Sequence, residues 1–129
     1  MRISAVVAAV TFVVFSSASN LAFAQDAAGD PAAGKTVFAR CAICHKVAQG
    51  APASVGPNLF GVVGRKAASL PGFEYSGPLK AAGITWTDDK LQEWVSGPAK
   101  MVPGTKMAFP GITSKGQQAD VVAYLKTLK

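Results

Sequence analysis

The chain has 129 residues, half of them hydrophobic, and thirteen Lys and Arg against seven Asp and Glu give a net charge of +6. That length supports one domain. Two cysteines and a single histidine are too few ligands for a four-coordinate structural zinc site. The charge admits an acidic partner, but no groove-reading motif or basic amphipathic helix points to nucleic acid or an anionic membrane.

In chain order, the first segment reads as an export signal. Arg2 supplies a positive start, residues 5–15 form an apolar run broken only by Thr11, and Ala22-Phe23-Ala24 is an A-x-A cleavage site. The run falls short of the roughly 20 residues that span a bilayer, and polar Ser16, Ser17, Ser19 and Asn20 follow at once. We therefore expect 1–24 to be a cleaved signal peptide and 25–129 the mature domain, exported to the periplasm. Arg2 is the one charged residue removed, so 105 residues remain with a net charge of +5.

Asp30-Pro31 opens the first helix, with Asp as N-cap and Pro at the first helical position. Gly34, Val37, Phe38 and Cys41 follow at three- and four-residue spacing, which makes one face apolar. The helix is expected to run into Cys41-Ala42-Ile43-Cys44-His45, which holds both cysteines and the only histidine. C-x-x-C-H is the signature of covalent haem attachment. Two thiols add to the two vinyl groups, and the adjacent imidazole ligates the iron. On a helical turn these three positions share a face. A dithiol redox site would want a βαβ setting, and a structural disulfide here would close too short a loop to stabilise much.

The stretch 49–70 carries Pro52, Gly56-Pro57, Gly61 and Gly64 and nothing that alternates like a strand. A loop this long wants a task, such as wrapping a cofactor. A short helix is expected over 76–82, ending at Gly83. A further helix follows Thr87 as N-cap, with Asp88 and Asp89 in its first turn and Leu91, Trp94 and Val95 on its apolar face, and stops before Gly97-Pro98. The last helix starts at Ser114, with Gln117 completing a capping box and Val121, Val122, Leu125 and Leu128 facing inward. The fold class is all-α with loops, and a haem filling the core implies a poorly folded apoprotein.

A haem iron held by His45 needs a partner on its other side. After signal removal the candidates are Met101 and Met107, with lysine a weaker one. Methionine is often core filler. Met107, however, lies in Pro103-Gly104-Thr105-Lys106-Met107-Ala108-Phe109-Pro110, a non-helical run bounded by prolines and suited to holding a thioether on a metal.

These motifs together resemble the class I c-type cytochromes, the soluble bacterial group most similar to mitochondrial cytochrome c. The likeness spans nearly the whole mature chain. It is carried by Gly34 and Phe38, Gly56-Pro57-Asn58-Leu59, Gly64-Arg65-Lys66, Pro71-Gly72-Phe73-x-Tyr75, Ile84-x-Trp86, Pro103-Gly104-Thr105-Lys106-Met107-x-Phe109 and Ala123-Tyr124-Leu125-Lys126. The resemblance implies a small cytochrome c fold, with N- and C-terminal helices packed together and loops around one haem c. It implies thioether bonds from Cys41 and Cys44 and axial ligation by His45 and Met107, which raises a haem's reduction potential. It further implies that the Pro57 carbonyl orients His45, that Tyr75 and Trp86 bond the haem propionates, that Arg65 offsets their charge and that Thr105 assists. Trp94 stands where the family often has a tyrosine, and Leu79 where mitochondrial proteins place a polar residue. Gly34 and Phe38 are expected to meet Val121 and Tyr124.

With both axial positions filled, the expected activity is single-electron transfer and not catalysis. An open-iron enzyme or gas-binding protein would need Met107 not to ligate, and a thiol oxidoreductase would need no haem. A basic rim of Arg40, Lys46, Lys100, Lys106 and Lys115 around the haem edge would steer acidic surfaces of redox partners, docking transiently with a monomer.

Overall fold

The computed structural model describes residues 28–129. The expected signal and its cleavage after Ala24 lie outside the described residues. Five helices follow one another: α1 (Pro31–Phe38), α2 (Gly77–Ala81), α3 (Asp88–Ser96), α4 (Pro98–Met101) and α5 (Lys115–Lys126). Among the described residues the only β feature is an isolated bridge between Lys66 and Thr85.

Each expected helix start is capped by the side chain that signals it. The Asp30 carboxylate accepts from the Ala32 N–H at 2.8 Å, Ser76 Oγ from Leu79 at 3.3 Å, Thr87 Oγ1 from Lys90 at 3.3 Å and Ser114 Oγ from Gln117 at 3.3 Å. These bonds satisfy amides that a helix leaves unpaired at its N-terminus.

Two details differ from expectation. α1 ends at Phe38, and the haem motif continues it as a series of turns. Gly97-Pro98 does stop α3, yet Pro98 also begins α4, because proline's fixed φ suits a first helical position.

α1 and α5 cross as the frame of the fold. A Cβ placed on Gly34 would lie 1.9 Å from the Asp120 carbonyl oxygen and 2.9 Å from Tyr124 Cβ, so glycine lets the two backbones touch. Beside the crossing the Phe38 and Tyr124 rings pack 5.3 Å apart, tilted by 51°. The backbone N–H of Asp30 donates to Asp120 Oδ1 at 2.8 Å, and exposed Lys126 pairs with Asp88 at 2.6 Å, tying α5 to the start of α3. The core runs from Val37 and Phe38 through Trp86, Leu91 and Trp94 to Val121, Val122 and Leu125, all buried.

Candidate haem site

The turns after α1 keep helical steps where the chemistry requires them. The Ala42 N–H donates to the Phe38 carbonyl and the His45 N–H to the Cys41 carbonyl, both at 2.9 Å. Cys41, Cys44 and His45 are half-buried and line one cavity of about 490 Å³. Cys41 and Cys44 are not joined in a disulfide. Burial pushes the Cys41 thiol up, and neighbouring Arg40 only partly offsets this. A redox-active dithiol is activated the opposite way, by a lowered thiol pKa.

His45 Nδ1–H donates to the Pro57 carbonyl at 2.8 Å. That bond selects the tautomer in which Nε2 keeps its lone pair, as metal-ligating histidines require. Burial holds the imidazole below its usual pKa, with the Pro57 bond pulling the other way, a shift that favours the neutral, ligating form.

The loop behind His45 is tightly stitched. The Gly56 N–H donates to the Cys44 carbonyl at 2.8 Å and Ser54 Oγ donates to the same oxygen at 2.6 Å. Buried Asn58 donates through Nδ2 to the carbonyls of Ala48 and Ala51, both at 2.8 Å, and its Oδ1 accepts from Phe60 at 2.8 Å. A Cβ on Gly56 would sit 2.5 Å from His45 Cε1, so the space glycine leaves is taken by the imidazole.

The segment between α4 and α5 brings a thioether to the same cavity. Gly104 turns the chain at φ +86°, and the Thr105 N–H donates to the Val102 carbonyl at 3.1 Å. Thr105 Oγ1 accepts from the Met107 N–H at 3.4 Å, and Thr105, Met107 and Phe109 line the cavity. Met101 instead lies on α4, packed against the core and outside the cavity lining.

The remaining expected residues gather there too. Tyr75 and Trp86 are buried and line the cavity, with Leu79 and Trp94 beside them. Phe73 meets Tyr75 edge-on at 4.9 Å, and the Trp86 and Trp94 rings lie 5.2 Å apart. Arg65 reaches the wall with its guanidinium donating to the carbonyls of Phe60 at 3.2 Å and Asn58 at 3.0 Å. Of the basic residues expected at the rim, Arg40 and Lys106 line the cavity, whereas Lys46, Lys100 and Lys115 are exposed and outside its lining.

Sequence reasoning missed four contributors. Asn58 entered only as a member of the Gly56-Pro57-Asn58-Leu59 motif, with no role given to it, although asparagine's habit of bonding nearby backbone could have suggested one. Lys66 joins the lining. Ile43 and Val55, 80% and 76% exposed, are the two exposed large hydrophobic side chains among the described residues, and both lie at this cavity.

The donor set fits a covalently held, ligated haem. Two thiols, a neutral imidazole with a free Nε2 and a thioether meet in one largely apolar cavity with an arginine in its wall.

Comparison with known proteins agrees. The Cytochrome c family model matches residues 31–129. The chain is 50% identical over 113 residues to cytochrome c-554 of Methylosinus trichosporium, covering 84% of this chain and 86% of that one. It is 47% identical over 102 residues to cytochrome c2 of Rhodoblastus acidophilus, covering 79% and 95%. The solved structure of cytochrome cH from Methylobacterium extorquens superposes with a TM-score of 0.73 at 47% identity, covering 77% of this chain and 99% of that one.

The chain belongs to the cytochrome c family. It is a haem-based electron carrier and not an enzyme, and its haem c is covalently attached, with Cys41 and Cys44 fitting the C-x-x-C-H motif.

Proposed function

We propose that the protein carries single electrons between redox partners in the periplasm, with His45 and Met107 as axial ligands of its haem iron. The observation that carries this is the meeting of His45, its Nδ1 taken by Pro57, and Met107 at one cavity from two distant segments. His45 and Met107 would hold the haem iron, which when bound would supply a one-electron couple, and donation from the Met107 thioether would favour its less charged ferrous state. The protein's share is to hold both donors fixed. Pro57 keeps the imidazole oriented, and the turn through Gly104 and Thr105 presents the sulfur. With both axial positions filled, no open site remains for oxygen or substrate.

Tyr75, Trp86 and Thr105 at the cavity would bond the propionates and Arg65 would offset their charge, since carboxylates out of water need donors or cations. Partners dock where the haem edge opens. Arg40 and Lys106 at the cavity, with Lys46, Lys100 and Lys115 further out, attract acidic surfaces, while Ile43 and Val55 offer an apolar contact within that field. Residues 1–24 direct export and are removed in the course of it. No helix among the described residues is long and apolar enough to cross a membrane.

The test is spectroscopic. Ferric holoprotein should show the near-infrared iron–sulfur charge-transfer band, and Met107→Ala should abolish it while Met101→Ala leaves it. A band that survives Met107→Ala would overturn the ligand assignment.

A further inference from the structure

The Met107 segment is held mainly at its ends. Between Thr105 and Pro110 its backbone makes only local bonds, from Met107 to Thr105 Oγ1 and from Phe109 to the Met107 carbonyl at 3.1 Å. One side-chain tie is added, from Lys106 Nζ to the Glu74 carbonyl at 3.4 Å. Where the sulfur sits therefore depends on how firmly the two ends are fixed.

The far end is fixed at residues 111 and 112. Gly111 has φ +105° and runs so close to the end of α3 that a Cβ would lie 2.2 Å from the Ser96 carbonyl oxygen. The Ile112 N–H donates to the Val95 carbonyl at 2.7 Å. The Ile112 carbonyl is taken from the other side by Gln118 Nε2, reaching from α5. Ile112 is 1% exposed and Gln118 2%.

Gln118 is an odd residue for this place. Its Oε1 is buried without a partner among the described residues, which is unfavourable for any amide oxygen. An aliphatic side chain would fill the space without that penalty. What the amide contributes is its one bond, and that bond locks the carbonyl at the root of the Met107 segment.

We infer that Gln118 is a positioning residue for the Met107 thioether, acting through Ile112. The inference rests on Met107 being an axial ligand. α5 packs against α1, which leads into the Cys41–His45 turns, so Gln118 refers the sulfur to the same frame that carries the imidazole. Without its amide the segment keeps its sequence and loses one of its fixed points. The sulfur then competes less well with an outside ligand for the iron.

The test compares Gln118→Leu with Val122→Ala in ferric holoprotein. Val122 is buried on the same helix and outside the cavity lining, so its truncation reports loss of packing alone. Imidazole is titrated against the near-infrared band, and thermal unfolding is followed in parallel. Gln118→Leu should lower the imidazole midpoint about tenfold, the scale of one lost hydrogen bond. Val122→Ala should lower the unfolding temperature and leave the imidazole midpoint within about twofold of wild type. Equal midpoints in the two variants would overturn the inference and leave Met107 ligation standing. A wild-type ferric protein without the band would overturn the ligation itself, and this inference with it.

Discussion

Gly56 shows how much a missing side chain can determine. In the sequence it belongs to a Gly-Pro turn, and nothing about a turn glycine says what lies across from it. Its φ is not positive, so its backbone conformation does not demand glycine. The demand is spatial, because a Cβ would fall 2.5 Å from His45 Cε1 and 2.7 Å from Nδ1. Gly56→Ala should therefore turn the ring and stretch the bond to Pro57, costing about 1–3 kcal/mol of stability as overpacking does. A weaker Nδ1 bond makes a less basic ligand, so the reduction potential should rise. Voltammetry and thermal melting of the holoprotein check both effects, and an unchanged potential would mean that the ring has room to spare. Cys41, Cys44 and His45 were legible because their chemistry requires contiguous residues. Asn58 was not, because its partners at Ala48 and Ala51 are set by a loop path that no periodic pattern encodes.

Helix starts were legible for a related reason: a cap is a local contract between a side chain and amides two or three residues on. Asp30, Ser76, Thr87 and Ser114 each honour it. The end of α1 and the existence of α4 were less so. Repetitive spacing through Cys41 suggests an unbroken helix, whereas the described turns depart from one after Phe38. A four-residue helix such as Pro98–Met101 is too short to display a period. The crossing of α1 and α5 yields its own prediction. Alanine inside a helix is favoured over glycine by about 1 kcal/mol, so propensity alone says Gly34→Ala should stabilise. The close approach reverses that sign. A methyl 1.9 Å from the Asp120 carbonyl oxygen meets backbone that cannot rotate away, and separating the helices also disturbs the Phe38–Tyr124 contact. We expect a net loss of about 2 kcal/mol, lowering the holoprotein's unfolding temperature by roughly 10 °C. A melting temperature at or above wild type would mean that the helices separate without cost.

For the molecule as a whole, charge and shape act over different distances. The mature chain expected after cleavage carries +5, and its field reaches about 10 Å in 0.1 M salt. Association with an acidic redox partner should slow by roughly tenfold or more between low and physiological ionic strength, measured by stopped-flow electron transfer. A rate indifferent to salt would reject steering by the basic residues. An apolar contact at Ile43 and Val55, as proposed, would operate only at touching range, so Ile43→Ser should raise the dissociation constant at high salt and leave the salt slope unchanged. The overall architecture was readable because several short motifs appear in one fixed order. The division of the rim was not, since Lys46 follows the haem motif, Lys100 lies on α4 and Lys115 opens α5, and no local pattern says how those segments stand to the cavity.

Ten of the fifteen buried core residues, among them Phe38, Tyr75, Trp86, Leu91 and Leu125, also line the cavity. Most of the polypeptide's interior is therefore shared with the cavity. A chain without the pigment would leave side chains facing a hollow, and collapse or flooding would follow, so compaction depends on loading. Attachment should then precede compaction: with Cys41 and Cys44 in the cavity lining, both thioether bonds are expected to form on a chain still open.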